Sequence, residues 1–315
     1  MRVLVTGATG FVGSRLVPGL AAAGHDVVAL VRGASRYDPP EGVDVAEGDL
    51  LEPGSFEAAL EGVEAAYYLI HSMQSGREFA ERDRRAARNF VEAADAAGVE
   101  RVVYLGGLGE ERDRLSPHLR SRREVEYILG EGAFDLTTLR AAIVVGDGSA
   151  SFEMIRQLAQ RLPVMVTPRW VRTRCQPMAV GDVIAYLVGV LRVPATAGET
   201  FEIGGPEVLT YREILERTAR IATGRTPLIV PVPVLSPRLS SYWVGLVTDV
   251  PAGVARPLIG GLHNPMVVED DRIRGLVPVG LTDFDTAVRR ALDGESVPLS
   301  DPADRVADAG LEVPE

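Results

Sequence analysis

A glycine-rich turn between a strand and a helix, near the start of the chain, constrains the fold more than any other feature. The segment RVLVTGATGFVGSRL begins with an apolar strand at 2–6, and Gly7, Gly10 and Gly13 follow it. A second strand is predicted at 26–32, so the unit runs strand, turn, helix, strand. Gly7 permits a tight turn, Gly10 lets the backbone approach a diphosphate, and Gly13 allows close packing of helix on sheet. Because the helix N-terminus also offers free N–H groups and a positive dipole end, the unit predicts a dinucleotide site.

The end of the second strand indicates which dinucleotide is bound. An NAD site usually carries an acidic residue there to hold the ribose hydroxyls, whereas a nearby arginine suits the 2′-phosphate of NADP. Here the strand ends in Leu30, Val31 and Arg32, and Arg36 follows shortly after. We therefore predict NADP as the cofactor. NAD remains the alternative if Arg32 is a solvated loop residue.

Strand and helix patterns alternate along the first half of the chain. Further apolar strands are predicted in VDVAEGDLLEP, AAYYLIHSM, RVVYLGGLG and FDLTTLRAAIVVGDG. An amphipathic helix between AAYYLIHSM and RVVYLGGLG has an apolar face formed by Phe79, Ala86, Phe90, Val91 and Ala94. The alternation predicts an α/β fold, a doubly wound parallel Rossmann sheet whose ligand crevice lies at the carboxyl ends of the strands.

The second half of the chain contains further helix and strand patterns, and the family resemblance given below implies that they include a smaller, interleaved C-terminal lobe that covers the cofactor and holds the substrate. We expect 1–150 with 172–206 to form the Rossmann domain, and 151–171 with 207–295 to form the substrate lobe. A tail rich in proline and aspartate, 296–315, is predicted to be disordered.

Composition narrows the classes of partner. The net charge of −11 argues against nucleic acid, because phosphate binding favours a basic surface. Four scattered histidines and a single cysteine, Cys175, have no metal-ligand spacing, so we predict no metal site. No run reaches the ~18 apolar residues of a membrane helix, and the start of the chain lacks signal-peptide features, which predicts a cytoplasmic protein. All 33 basic residues are arginine, so no lysine amine takes part in the chemistry.

Three motifs carry a resemblance to a known superfamily: TGATGFVG at the glycine turn, VRG after the second strand, and EGDL after the third. Their combination resembles the extended and atypical short-chain dehydrogenases/reductases, and within them the NmrA-like NAD(P)H-binding group. The nucleotide-binding accessory subunit of respiratory complex I is a more distant relative. The resemblance implies that Asp49 and Leu50 flank the adenine ring and that the strand carrying Leu69 and His71 ends beside the ribose and nicotinamide. The cofactor residues that we predict are Thr6, Gly7, Thr9, Gly10, Phe11, Val12, Gly13, Arg32, Asp49, Leu50, Leu69, His71 and Arg122.

The resemblance also identifies a candidate catalytic pair in the segment HLRSRREVE. Reductases of this superfamily commonly carry a tyrosine and a lysine four residues apart, where the tyrosine transfers a proton and the lysine holds the ribose. His118 occupies the place of the tyrosine, and Arg122 that of the lysine. Histidine, with a reference pKa of about 6.5, is a workable acid or base near neutral pH. The alternative is a charged helix face in water, on which Glu124 and Glu126 balance the arginines.

These features together predict an NADP(H)-dependent oxidoreductase, or an epimerase-like relative, that acts on a small carbonyl or hydroxyl compound. The missing tyrosine and lysine leave open a non-catalytic NAD(P)H-binding sensor or assembly factor with a protein partner, and a homodimer is a further possibility. The apolar, proline-broken stretch at 226–262 is expected to wall the substrate pocket. Its alternatives are docking on a partner and access for a lipophilic substrate such as a quinone. Arg140 is a candidate anchor for a polar substrate, with structural ion pairing as the alternative.

Overall fold

The computed structural model describes residues 1–71, 78–109, 115–231, 248–250 and 259–294. The strands within these ranges are β1 Arg2–Thr6, β2 Asp26–Val31, β3 Asp44–Glu47, β4 Ala65–Tyr68, β5 Arg101–Gly107, β6 Asp135–Ala141, β7 Val144–Val145, β8 Val164–Thr167, β9 Arg174–Cys175, β10 Met178–Ala179, β11 Thr200–Ile203, β12 Leu209–Thr210 and β13 Leu228–Pro231. The α-helices are α1 Gly13–Ala22, α2 Phe79–Ala97, α3 Pro117–Leu129, α4 Ala150–Arg161, α5 Val180–Arg192, α6 Tyr211–Thr223, α7 Ile273–Leu276 and α8 Phe284–Asp293.

A central sheet of seven strands confirms the predicted doubly wound Rossmann fold. Its order is β11-β6-β5-β4-β1-β2-β3, and every neighbouring pair is parallel. The chain winds outward from β1 in one direction through β2 and β3, then in the other through β4, β5 and β6. Ligands of such sheets bind at the carboxyl ends of the strands, where the winding direction reverses. The crevice between the ends of β1 and β4 is therefore the expected position of the site.

Helices cover both faces of this sheet. Helices α1 and α5 pack together on one face, and α2 and α3 on the other. Two adjacent tyrosines of β4 show the result, because both are fully buried on opposite faces. Tyr67 donates a hydrogen bond to the Leu187 carbonyl of α5 at 2.6 Å, and the Tyr68 ring lies 5.2 Å from the Phe90 ring of α2. Burial on both faces explains why the strands read as continuous apolar runs.

A further apolar cluster lies beside the sheet and is built from α4, α6, α8, β8 and β13. Cys175 is fully buried in it, and burial raises the pKa of its thiol to about 11. The predicted domain boundaries stay a prediction. Much of the proline-rich stretch, at 232–247 and 251–258, and the predicted tail at 296–315 lie outside the described residues. Among the described residues, no helix is long and apolar enough to cross a bilayer.

Candidate cofactor and active site

The glycine turn closes on itself at the carboxyl end of β1. Gly7 has a φ of +68°, in the left-handed region that favours glycine, and its carbonyl accepts a hydrogen bond from the Gly10 N–H at 2.9 Å. A Cβ at Gly13 would lie 2.2 Å from the Gly7 oxygen, so only glycine lets α1 begin this close to the turn. Val12, the N-cap residue, provides no side-chain hydrogen bond to the first turn of α1. The backbone N–H groups there are consequently suited to an anion.

A cavity of about 690 Å³ lies between this turn and the carboxyl ends of the central strands. Its volume falls within the roughly 300–1,000 Å³ of typical ligand pockets. The residues that line it come from the ends of strands β1 to β6, from helix α2, from the starts of α3 and α4, and from the segment 261–266. They include most of the predicted site residues: Gly7, Thr9, Gly10, Phe11, Arg32, Asp49, Leu50, Leu69, His71, His118 and Arg122.

Three predicted cofactor residues, Thr6, Val12 and Gly13, are not among the lining residues and instead support the glycine turn. Thr6 is fully buried, where its hydroxyl donates to the Tyr67 carbonyl at 2.9 Å and accepts from the Leu69 N–H at 3.2 Å. Thr6 therefore joins the ends of β1 and β4. Gly13 is buried under the turn, and Val12 is half-buried at the start of α1.

The ends of β2 and β3 form the part of the cavity to which the resemblance assigns the adenine and its ribose. A carboxylate oxygen of Asp49 accepts from the Leu51 N–H at 2.9 Å, which folds the loop after β3 back on itself. The Asn89 amide of α2 donates to the Leu50 carbonyl at 2.7 Å and anchors this loop. Arg32 is exposed and lines the cavity, so its guanidinium is accessible to an anionic group bound there.

Helix α3 presents His118 and Arg122 to the cavity. Ser116 caps the helix by accepting from the Leu119 N–H at 3.3 Å, and Pro117 occupies the first turn, where its missing N–H costs nothing. Residues four apart on a helix lie on one side, and both members of the pair line the cavity.

The guanidinium of Arg122 is held against β5. It donates to the Leu105 carbonyl, and its central carbon lies 5.5 Å from the centre of the Tyr104 ring. The Tyr104 hydroxyl in turn donates to the Arg122 carbonyl at 3.0 Å. Both the main chain and the side chain of Arg122 are thereby fixed, and a positive charge is held in the cavity wall.

The histidines beside Arg122 are neutral at neutral pH. Burial, followed by the positive charges of Arg122 and His71, lowers the pKa of His118 to about 3. Burial and the charge of Arg122 also lower the pKa of His71, although part of its surface stays exposed. His118 therefore faces the cavity as a neutral imidazole, which offers one N–H donor and one nitrogen acceptor.

The remaining charges of α3 tie the helix to its neighbours. Glu124 accepts from Arg84 of α2 at 2.7 Å, and Glu126 accepts from Arg140 Nε of β6 at 3.2 Å. Arg123 lies 3.7 Å from Glu126. Among the described residues, the predicted balance of charges within α3 is seen in the Arg123–Glu126 pair, while Glu124 and Glu126 also pair with arginines of α2 and β6. Two roles were considered for Arg140, an anchor for a polar substrate and a structural ion pair. The structure shows the ion pair, with Glu126.

The part of the cavity wall beyond α3 is mainly apolar. Ser149 is buried there, and its hydroxyl donates to the Val144 carbonyl at 2.7 Å. A compound bound at this wall would contact mostly aliphatic and thioether groups, contributed by Ala141, Ile143, Met154, Leu262 and Met266. Among the described residues, no group of three or more His, Cys, Asp or Glu side chains could hold a metal ion.

Arg15 and Arg82 were not found by sequence reasoning. Arg15 donates to the Phe11 carbonyl and to the Asp147 carbonyl, both at 2.8 Å, and so links the glycine turn to the loop before the apolar wall. Residues 15 and 147 are too far apart in sequence for a local pattern to reveal this link. Arg82 lines the cavity from α2, and its buried Nε has no hydrogen-bond partner in the described part of the chain. Arg82 lies one helical turn before Ala86, on the predicted apolar face of α2. This position in the sequence could have indicated that Arg82 faces inward.

A parallel sheet with reversed winding, a glycine turn at a helix N-terminus and a ligand-sized cavity define a dinucleotide-binding Rossmann protein. The pattern of a family described as NAD(P)H-binding matches residues 7–160. A reductase of (4-alkanoyl-5-oxo-2,5-dihydrofuran-3-yl)methyl phosphate from Streptomyces griseus is 30% identical over 227 residues, which cover 70% of this chain and 73% of that one. The chain belongs to this NAD(P)H-binding family.

Two further similarities agree with this membership. Mitochondrial NADH dehydrogenase (ubiquinone) 1 alpha subcomplex subunit 9 of Arabidopsis thaliana is 26% identical over 226 residues, which cover 67% of this chain and 56% of the subunit. The crystal structure of Citrobacter sp. triphenylmethane reductase complexed with NADP(H) superposes with a TM-score of 0.73 at 21% identity. The superposition covers 92% of this chain and all of that one, and it shows a shared fold.

Proposed function

We propose that this protein is an NADPH-dependent oxidoreductase that reduces a small, largely apolar carbonyl compound or oxidises the corresponding alcohol. The observation that carries the proposal is one continuous cavity, which joins the glycine turn, the His118–Arg122 pair and an apolar wall. An epimerase-like reaction, which oxidises and re-reduces one carbon, would use the same arrangement. The name of the Streptomyces griseus relative, a reductase, supports the proposed class of reaction.

The residues present fit an NADP(H) molecule. Gly10 leaves the backbone of the turn open to the approach of a diphosphate, and Gly13 lets α1 begin close to the turn, where its N-terminus can bind the diphosphate. Arg32 presents a cation at the end of β2. Asp49 and Leu50 would hold the adenine, and Leu69, His71 and Arg122 the ribose and nicotinamide. When bound, the reduced nicotinamide would supply a hydride to the carbonyl carbon, and the carbonyl oxygen would gain a proton from water to give the alcohol.

His118 would act on the carbonyl oxygen. As a neutral imidazole it can donate an N–H hydrogen bond that polarises the carbonyl, a role that needs no imidazolium. Burial, followed by the nearby positive charge of Arg122, lowers the pKa of His118 and keeps it neutral. Arg122 also faces the expected position of the ribose. In this form the pair replaces the usual tyrosine and lysine with different roles. Arg122 would provide the positive charge, and His118 would donate a hydrogen bond to the carbonyl oxygen.

We expect NADPH oxidation with a panel of small apolar ketones and aldehydes, and we expect His118→Ala to lower kcat/KM by about 100-fold without weakening NADPH binding. His263→Ala is the matched control, because His263 is exposed and is not among the described residues that line the cavity. Turnover by His118→Ala at the wild-type rate would remove His118 from the mechanism.

A non-catalytic NAD(P)H-binding sensor is the second candidate function. It is favoured by the low pKa of His118, which leaves the site without a ready proton donor at neutral pH. Tight NADPH binding by calorimetry, together with no NADPH oxidation across the panel and a stable protein partner in pull-downs, would support it. Reduction of a defined substrate would refute it.

NADP preference over NAD rests on Arg32. We expect Arg32→Asp to weaken NADPH binding by about 10- to 100-fold, because an arginine–phosphate contact contributes about 1.5–3 kcal/mol, and to leave NADH binding within a few-fold of wild type. The matched control is Arg36→Asp, since Arg36 is exposed and is not among the described residues that line the cavity. Equal losses for NADPH and NADH in Arg32→Asp would contradict the assignment.

A further inference from the structure

Strands β8 and β13 form a two-stranded parallel sheet with an exposed aliphatic face. Leu228 pairs with Val164 and Val230 with Val166, and all four side chains point to solvent. Their exposed fractions are 60%, 51%, 40% and 47% respectively, which is high for large aliphatic residues. We call this set of four residues the aliphatic face.

The alternation along the two strands shows that the exposure follows from the fold. Met165 and Ile229, the residues between the exposed ones, are buried in the apolar cluster with α4 and α6. Side chains alternate between the faces of a strand, and paired strands lie about 4.8 Å apart. The aliphatic face is therefore one contiguous patch, and no rotation of a single strand can bury it without exposing the core.

The sequence around the aliphatic face contains arginines and no acidic residues. The whole chain has 44 Asp and Glu residues and a net charge of −11, yet residues 154–181 and 217–248, which include both strands, contain none. Five arginines lie in the first of these segments and four in the second. Such a local reversal of charge in an acidic protein indicates a partner with negative charge.

Exposed arginines lie beyond both ends of the aliphatic face. Arg161 and Arg225 each precede the first exposed residue of their strand by three positions, and because the strands are parallel both lie at the same end. Arg161 pairs with Asp249, whereas Arg225 has no ion pair in the described part of the chain. Arg172 is exposed past the other end, in a 3-10 turn at 169–172, and likewise has no ion pair among the residues described.

The chemistry of the patch favours a lipid surface over a protein. Protein interfaces are enriched in aromatic residues, Met and Arg, and they place opposite charges against each other. Here the four exposed groups are branched aliphatic chains, and the nearby charges are guanidinium groups except for Asp249, which pairs with Arg161. Surfaces that lie on bilayers insert aliphatic groups below the headgroups and hold anionic headgroups with arginine. We infer that the aliphatic face, with Arg225 and Arg172 beside it, docks on an anionic lipid bilayer. This inference goes beyond the proposed function and does not depend on it.

The test is co-sedimentation of the full chain with phosphatidylcholine vesicles that contain or lack phosphatidylglycerol. We expect binding to the anionic vesicles to exceed binding to the neutral ones by about tenfold at low salt, since each basic residue near such a surface contributes roughly fivefold. The excess should disappear at about 1 M salt, where the screening length is about 3 Å. Val166→Asp with Val230→Asp, and separately Arg225→Glu, should each lower binding to anionic vesicles at least about fivefold.

Val45→Asp is the matched control, because Val45 is also an exposed strand valine but lies between acidic neighbours on the edge strand β3. It should bind anionic vesicles like the wild type. Absence of wild-type binding to anionic vesicles would overturn the inference, and so would unchanged binding by the double aspartate variant. Light scattering that shows a wild-type dimer and a monomeric double variant would assign the face to a second copy of the chain, which would overturn it as well.

Discussion

Gly13→Ala is expected to lower the free energy of unfolding by about 3 kcal/mol or more. The added Cβ would lie 2.2 Å from the Gly7 oxygen and 2.9 Å from the Cα of Ala8, and both of these atoms belong to the backbone. No side chain can move aside to relieve such contacts, so the start of α1 must shift away from β1. Urea unfolding of the variant and the wild type, followed by far-ultraviolet circular dichroism, measures the difference.

Two further glycine variants separate stability from binding. Gly33→Ala should stay within about 0.5 kcal/mol of wild type, because nothing lies within 4 Å of the new Cβ and the backbone there is extended. Gly10→Ala should fold, since its Cβ meets only the Gly7 oxygen at 3.1 Å, and should lose NADPH affinity at least about tenfold, because the methyl group would occupy the approach of the diphosphate. Wild-type stability in Gly13→Ala would contradict the packing described for this turn.

Arg122→Met is expected to weaken NADPH binding by about 10- to 100-fold, the value of a charged hydrogen bond. The same change should raise the pKa of His118 above its value of about 3, because it removes the second-largest cause of the lowering. Burial, the largest cause, remains, so the pKa should stay below 6.5. Calorimetric NADPH titration measures the first effect, and an NMR pH titration of the imidazole measures the second.

Acid sensitivity gives a readout of the Arg122–His118 contact that does not require turnover. Since the pKa of His118 is lower in the folded protein than its unfolded value of 6.5, protons bind the unfolded chain preferentially between these values. The stability linked to His118 is fully present above pH 6.5 and is lost as the pH falls toward 3. Between pH 7 and pH 5 the loss is up to about 2 kcal/mol, an upper bound because His118 is partly exposed.

Arg122→Met should lose less stability than the wild type between pH 5 and pH 3.5, where a raised His118 pKa lets the folded protein bind protons as well. Arg122→Lys, which keeps the positive charge, should behave as the wild type does. Urea unfolding at pH 5 and pH 3.5 compares the three proteins. A His118 pKa that is identical in Arg122→Met and in the wild type would show that the two side chains do not interact.

The parts of the structure that depend on neighbours in sequence were predicted well. The glycine turn, the first strands and the amphipathic helix α2 can each be recognised within about twenty residues. This is possible because the hydrophobic period and the turn residues are local properties of the sequence. The doubly wound parallel sheet was predicted from the alternation of strands and helices, which leaves few topologies open. Most predicted site residues line one cavity for the same reason, since parallel strands end at one edge of the sheet.

The parts that depend on distant contacts were not predictable in this way. The pairing of Arg140 with Glu126 joins β6 to α3, and two outcomes for Arg140 were open until the fold placed these elements together. The lowered pKa of His118 depends on burial and on a neighbour's charge. Its value of about 3 could therefore not be predicted from the reference pKa of about 6.5. The apolar wall likewise combines residues from 141 to 266, whose shared position no local pattern encodes.

Arg15 connects two parts of the molecule that different ligands would touch. Its guanidinium bonds the Phe11 carbonyl in the glycine turn and the Asp147 carbonyl, which is two residues from Ser149 in the apolar wall. A displacement of either carbonyl strains the shared guanidinium unless the other carbonyl follows. A ligand at the turn that moves the Phe11 carbonyl would therefore act on the wall through one side chain. Any resulting change in affinity would be reciprocal, because each ligand must change the affinity for the other by the same factor.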